Sequence, residues 1–307
     1  MQHTLKNIVS ISGIGLHSGK TTKVVLHPAK EDYGIVFQRT DLAQAAPIPA
    51  SWKNIIDTRL CTVIGYDSEN RVATIEHIMA ALRALGIDNV HIEIDGQEVP
   101  ILDGSSKIFI EHFEAAGLSK QARPRKVIHV LKPISYEEDG KSVSLKPSAI
   151  PVYRGEIVYE SAAIGTQRFE LKLVNGNFKH DVSDCRTFCL LEDVEMMRQN
   201  GLALGGSLDN AIVIDDNTVL NEEGLRCHDE FIRHKILDAV GDLALSGGLI
   251  LGAYEGIRAG HDMNYKLLKT LFANEDAWEY IDLHIDFESS DEDVYTMADI
   301  KRQSAHV

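Results

Sequence analysis

Apolar and polar positions alternate along the start of this chain, in the runs Asn7 to Ile11 and Lys23 to Leu26. A period of two buries one face of a strand. The two runs are joined through the glycine-rich stretch Gly13 to Gly19, so the pattern predicts a sheet at the beginning. Thr40 to Ser51 carries two prolines and no clear period, which reads as a loop or the edge of a small inserted sheet. Thr74 stands where it can cap a helix through Glu76, His77, Met79 and Leu82, with Gly86 to stop it. Val90, Ile92 and Ile94 then alternate with His91, Glu93 and Asp95, a half-buried strand that ends in the Asp95-Gly96 turn. A second helix follows from about Ser106 to Ala116.

Gly117 to Arg125, rich in Lys, Arg and Gln with one proline, is the expected boundary. Beyond it come strands from Lys126 through Glu160 and Gln167 to Val174, a helix from Leu191 to Gln199 and strands near Ala211 to Ile214. A long helix around His234, the strand Leu249 to Tyr254 and a helix beginning near Asp262 complete the second half. Placing His77 over His234 aligns helix, glycine, strand and following helix in both halves, which hints at internal duplication. The expected fold is α+β: two similar sheet-plus-helices domains, residues 1–125 and 126–275, with the active site in the cleft between them. Residues 276–307, with the acidic run Glu288 to Asp293, are expected to form a peripheral tail.

The long helix carries the most informative polar pattern. His234, Asp238 and Asp242 recur at four-residue steps, hence on one face, while Ile236, Leu237, Val240, Leu243 and Leu245 anchor the segment in a core. His234 and Asp238 can reach one ion. A catalytic zinc takes three His or carboxylate ligands and leaves room for water, with a nearby carboxylate to take the proton of that water. Glu76-His77 supplies both missing parts, although no HExxH pattern is present.

Each residue also has a structural explanation. His77 fits a satisfied core histidine, His234 and Asp238 an i,i+4 hydrogen-bonded pair, and Glu76 a favourable charge at a helix start. Gly260-His261 precedes a helix start, which disfavours imidazolium, whereas Asp242 as a neighbour favours it. A protonated His261 can stabilise an oxyanion or protonate a leaving amine; otherwise it caps the turn.

Composition narrows the function. With 307 residues and 44% hydrophobic content the chain is long enough for two cores. Its 31 Lys plus Arg against 46 Asp plus Glu give a net charge of −15, which disfavours nonspecific binding to nucleic acid or anionic lipid. Any anionic substrate must be met by local cations. No apolar stretch reaches the roughly 20 residues of a membrane span, and the start lacks a signal or transit pattern, so a cytoplasmic protein is expected. Cys61, Cys185, Cys189 and Cys227 show no C-x2-C spacing and read as ordinary thiols.

A set of motifs runs in order over roughly residues 5 to 275. It comprises Gly15-Leu16-His17-Ser18-Gly19, Thr74-Ile75-Glu76-His77, Gly86-Ile87-Asp88-Asn89 and Pro100-Ile101-Leu102-Asp103-Gly104-Ser105. It continues with Arg186-Thr187-Phe188, Leu204-Gly205-Gly206-Ser207, Leu220 to Arg226, Arg233-His234-Lys235 to Leu243, and Gly260-His261. The set resembles the UDP-3-O-acyl-N-acetylglucosamine deacetylase family, a zinc amidase of lipid A biosynthesis in Gram-negative bacteria. That resemblance implies removal of acetate from the sugar nitrogen of a UDP-linked, 3-O-(3-hydroxyacyl) glucosamine.

By the resemblance, His77, His234 and Asp238 would bind Zn2+, Glu76 would be the general base, and His261 paired with Asp242 would be the protonated partner. Thr187 would donate its hydroxyl to the oxyanion, Lys235 would face the substrate carbonyl or phosphates, and Asp103 would support the site from a turn. Arg258 and Lys141 would meet the nucleotide, Asp193 the ribose, and Phe188 and Tyr159 would stack on sugar or base. Ser207, in its glycine-rich motif, is counted with the substrate contacts; Lys141 reads equally as a solvated turn lysine. The chain departs from the family at Leu190, often Phe, and at Ser161-Ala162, often His-Pro, which bears on the acyl passage. A monomer without a fused dehydratase domain or stable membrane insertion is expected. The rivals are a noncatalytic nucleotide-sugar binding protein, a zinc amidase for another N-acylated sugar, and iron in place of zinc at the same ligands.

Overall fold

Val9–Ile14 and Thr21–Pro28 pair antiparallel, with Val9, Ile11, Val24 and Leu26 buried at alternate positions. The computed structural model describes residues 1–283. The pair opens a five-stranded sheet ordered Val9–Ile14, Thr21–Pro28, Val90–Ile94, Ile35–Arg39, Ile48–Pro49. A second five-stranded sheet is ordered Ile134–Glu138, Lys141–Lys146, Ala253–Ile257, Val152–Val158, Thr166–Lys172. In both, the strand latest in sequence lies in the middle, antiparallel to the second strand and parallel to the third. The duplication hinted at by sequence thus has a topological counterpart, and the fold class is α+β.

The helices are α1 (Glu76–Ala84), α2 (Lys107–Ala116), α3 (Asn177–Asp181), α4 (Leu191–Gln199), α5 (Glu230–Leu243) and α6 (His261–Ala273). α1 precedes the middle strand of the first sheet and α2 follows it; α5 and α6 stand in the same relation to the second. Glu76 through Arg83 are all buried, so α1 is covered on every side, as a helix held between a sheet and another helix must be. Its neighbour is α5. α1 ends as its glycine predicts: Gly86 has φ +66°, its N–H bonds the Arg83 carbonyl, and Ile87 N–H bonds that of Leu82.

Thr74 does not cap that helix. The cap position is Ile75, without a side-chain cap, while the Thr74 hydroxyl donates to Glu98 at 3.0 Å. Glu98 also accepts the His17 and Ser18 N–H groups, so its buried carboxylate gathers donors from two loops and outcompetes the local cap.

The expected boundary stretch, Gly117 to Arg125, contains a short exposed strand, Leu118–Lys120, antiparallel to His3–Leu5. One further expectation is corrected. The supposed tail from residue 276 contributes the strand Trp278–Leu283, antiparallel to Arg125–Val130, because Trp278, Ile281 and Leu283 find apolar partners in the core. The acidic run Glu288 to Asp293 lies outside the described residues. The main apolar cluster runs continuously from Leu5 to Leu283 and takes residues from both five-stranded sheets. All four cysteines are free. No helix among the described residues is long and apolar enough to cross a membrane.

Candidate active site

One ligand atom each from His77 on α1 and His234 and Asp238 on α5 fall within 4.8 Å of one another. Asp238 Oδ1 is 3.3 Å from His234 Nε2 and 3.6 Å from His77 Nε2, and the two imidazoles stand at 89° with centroids 5.0 Å apart. That oxygen is buried and accepts no hydrogen bond, which leaves an anionic lone pair without compensation unless a cation meets it. The other oxygen, Oδ2, accepts from Lys235 Nζ at 2.9 Å.

His234 Nδ1 lies 3.0 Å from the Cys185 carbonyl and can only donate there, which turns the Nε2 lone pair towards Asp238 and His77. Burial lowers the His234 pKa to about 3, so its ring is neutral, as a ligand must be. His77 Nδ1 is buried with no partner. Two imidazoles and one carboxylate, one oxygen of which is open, fit zinc, and iron as well by donor type.

Glu76 and His261 lie beside these ligands. Glu76 Oε2 accepts the Thr62 N–H at 3.1 Å, while Oε1 is 3.9 Å from His261 Nε2. His261 is the first residue of α6, and its Nδ1 donates to Asp242 Oδ2 at 2.9 Å. Burial opposes a charge on His261, but Asp242 outweighs it with help from Glu76 and Asp238, raising the pKa to about 9. Of the two influences weighed in the sequence, Asp242 prevails over the helix start. Burial also raises the Glu76 pKa, against the pull of His261 and His77. Burial disfavours charge on Lys235 too, yet Asp238 more than compensates and raises its pKa.

Asp242 is held from three sides. Its Oδ2 also accepts Asn264 Nδ2 at 2.8 Å, Asn264 Oδ1 accepts the Tyr254 hydroxyl at 2.7 Å, and Asp242 Oδ1 accepts the Thr62 hydroxyl at 2.5 Å. Thr62, Tyr254 and Asn264 were not singled out from sequence. Asn264 had a signal, since it lies three residues after His261 on the same helix; Thr62 and Tyr254 had none.

A cavity of about 760 Å³ adjoins this centre through Lys235 and is lined also by Lys141, Tyr159, Leu190, Ile214 and Arg258. Lys141, Tyr159, Lys235 and Arg258 thus line one cavity, together with Glu160, Glu192, Asp215 and Asp216. Phe188 stands edge-on to Tyr159 at 5.7 Å, with Lys235 Nζ 5.5 Å from its ring centroid. Thr187 is tied through its backbone to Gly104 and Ile212. Its position follows from Arg186, a fully buried cation whose guanidinium and N–H both bond Glu230 at the start of α5.

Four expected substrate contacts are not among the cavity lining: Phe188, which stands beside its Tyr159, and Asp103, Ser207 and Asp193. Asp103 accepts from Ser105 and Arg226. The Ser207 hydroxyl accepts the Asp209 N–H within its own turn, and Asp193 sits in the first turn of α4.

Residues 2–273 match the family model for UDP-3-O-acyl N-acetylglycosamine deacetylase. The chain belongs to this deacetylase family. A UDP-3-O-acyl-N-acetylglucosamine deacetylase of Syntrophotalea carbinolica is 45% identical over 281 residues, covering 92% of this chain and 91% of the relative. One of Thioalkalivibrio sulfidiphilus is 44% identical over 291 residues, 94% of this chain and 95% of the relative. One of Actinobacillus pleuropneumoniae is 43% identical over 283 residues, 91% and 92% of the two chains. Deacetylase relatives thus span the whole centre, from Glu76 on α1 to His261 on α6.

Proposed function

We propose that this protein removes the N-acetyl group of UDP-3-O-(3-hydroxyacyl)-N-acetylglucosamine and releases acetate, the committed step of lipid A biosynthesis, as a cytoplasmic zinc-dependent amidohydrolase. The unpartnered Asp238 Oδ1 between two imidazole nitrogens, with a carboxylate and an imidazolium alongside, carries the reading. His77, His234 and Asp238 would hold zinc, which when bound supplies a Lewis acid that polarises the amide carbonyl and makes water acidic enough to attack near neutral pH.

The remaining chemistry belongs to side chains. Glu76 Oε2 is engaged by a backbone N–H, so Oε1 is the oxygen that takes the proton of the attacking water. His261 shares its Nδ1 proton with Asp242, so Nε2 is the atom that gives a proton to the departing amine. Thr187 and Lys235 would meet the developing negative charge on the carbonyl oxygen. Lys141 and Arg258 would meet the diphosphate of the nucleotide, and Tyr159 and Phe188 would stack on its sugar or base. Asp193 would reach the ribose, while Asp103 and Ser207 would act through the loops they fasten. The sheet-and-helix units before and after the boundary near Arg125 would each supply part of the centre, and a monomer would suffice.

Elemental analysis paired with acetate release from the acylated UDP sugar tests the reading. One equivalent of zinc or iron and turnover are expected. Metal without turnover would leave a binding protein, and full activity on the UDP sugar lacking its 3-O-acyl chain would point to a different N-acylated substrate.

A further inference from the structure

Thr62 touches both halves of the proton-transfer machinery. It is buried, 1% exposed, and immediately precedes Val63–Gly65, the central strand of a three-stranded sheet with Ile55–Asp57 and Arg71–Val72. Its N–H donates to Glu76 Oε2 at 3.1 Å, and its hydroxyl donates to Asp242 Oδ1 at 2.5 Å. Its carbonyl accepts the N–H of Ile75, the residue before α1, at 3.4 Å. Among the described residues no other residue is within hydrogen-bond distance of both Glu76 and Asp242; His261, bonded to Asp242, approaches Glu76 only as an ion pair at 3.9 Å.

We propose that Thr62 is a positioning residue for the deacetylation, setting Glu76 on α1 and the Asp242–His261 pair in register through one backbone N–H and one hydroxyl. The physical reason lies in where the two groups come from. Glu76 enters on α1, Asp242 on α5 and His261 on α6, so their separation depends on how three helices pack. A residue buried among them that bonds one group through its backbone and another through its side chain removes that freedom. It also divides the labour between the oxygens of each carboxylate. Glu76 Oε2 is spent on Thr62, leaving Oε1 beside His261; Asp242 Oδ1 is spent on Thr62, leaving Oδ2 for His261 and Asn264. A carboxylate with one oxygen pinned cannot rotate to offer the wrong one.

The inference rests on the deacetylase reading, and two substitutions with two readouts separate its failure from that of the reading. Thr62→Val keeps the shape and the backbone N–H but removes the hydroxyl; Thr62→Ser keeps the hydroxyl and loses a methyl. Thr62→Val should lower kcat about 10- to 100-fold with KM nearly unchanged, the scale of one lost hydrogen bond to a buried carboxylate. Thr62→Ser should stay within about threefold of the unaltered protein, and both should hold the metal in full. The second readout needs no turnover: the His261 imidazole N–H proton resonance, assigned by its loss in His261→Ala, should move in Thr62→Val and stay in Thr62→Ser. Normal kcat and an unmoved resonance in Thr62→Val overturn the proposal. Equal losses in both variants overturn it as well, since the hydroxyl kept in Thr62→Ser would then protect nothing and the site would be responding to packing alone. Absence of acetate release from the unaltered protein, with the resonance still moved by Thr62→Val, fails the deacetylase reading while leaving the Thr62 bridge intact.

Discussion

Gly241 of α5 lies against the backbone of Glu76 of α1, so closely that a methyl group on Gly241 would stand 2.0 Å from the Glu76 carbonyl oxygen. In an open helix, Gly→Ala gains about 1 kcal/mol from backbone entropy. Here the obstacle is main chain and cannot swing aside, so overpacking decides the sign. Gly241→Ala should destabilise the protein by about 1–3 kcal/mol. The same displacement would part His77 from Asp238, so metal affinity should fall along with stability. Denaturant unfolding and a metal titration check this; unchanged stability with full metal uptake would show that the two helices are free to separate.

Ligand and base should come apart under mutation although they are neighbours. His234→Ala removes one of the three proposed ligands and leaves Asp238 Oδ1 facing a single imidazole, so metal content should drop markedly. Glu76→Gln keeps the shape beside Thr62 and removes the basic oxygen. Metal should remain stoichiometric while kcat falls about 100-fold or more, the usual contribution of a positioned base. Metal retained in His234→Ala, or near-normal turnover in Glu76→Gln, would overturn the corresponding assignment.

On the proposed mechanism the charge on His261 would set an upper pH limit on activity. Its pKa stands raised to about 9 against an ordinary 6.5, so the imidazolium prevails at neutral pH and is lost as pH rises through the raised value. Asp242→Asn deletes the largest favourable charge and leaves burial opposed only by Glu76 and Asp238. His17, whose own pKa is lowered by burial, adds no negative charge. The basic limb of the kcat profile should therefore move to lower pH in Asp242→Asn. A bound divalent cation would shift both proteins in the same direction, so the comparison keeps its sign. Coincident basic limbs would mean that His261 does not act as an acid.

These groups were legible in the sequence to different degrees. His234 and Asp238 lie four residues apart on a helix, so their shared face follows from geometry, and Glu76 comes with His77 by adjacency. The pairing of His261 with Asp242 could be raised but not decided, because burial and neighbouring charges depend on packing. Thr62 was invisible for a different reason: half of its role is a backbone N–H, which every residue but proline possesses. Thr74 misled because Glu98, 24 residues on, competes for its hydroxyl. The strand Trp278–Leu283 hid behind its charged positions, and its partner Arg125–Val130 lies some 150 residues earlier. Local periodicity reports helices and hairpins well. It is silent on long-range pairing and on which donor wins a shared carboxylate.

Arg258 tests the nucleotide side of the reading. It has φ +52°, a backbone region that disfavours side chains with a Cβ, and its N–H is committed to the Glu156 carbonyl at 2.8 Å. That conformation stands at the cavity lining, where Lys141 adds a second cation beside the carboxylates of Glu160, Glu192, Asp215 and Asp216. A diphosphate entering there would trade hydration for Arg258 and Lys141, so removing the guanidinium should weaken binding without touching the proton transfers at Glu76 and His261. Arg258→Ala should raise KM about 10- to 100-fold with kcat little changed, and weaken inhibition by UDP in proportion. Arg258→Gly relieves the backbone and loses the guanidinium as well. It should therefore be more stable than Arg258→Ala by about 1 kcal/mol yet no better at binding. If both variants kept the KM and UDP affinity of the unaltered protein, the nucleotide would have to be held elsewhere than in this cavity.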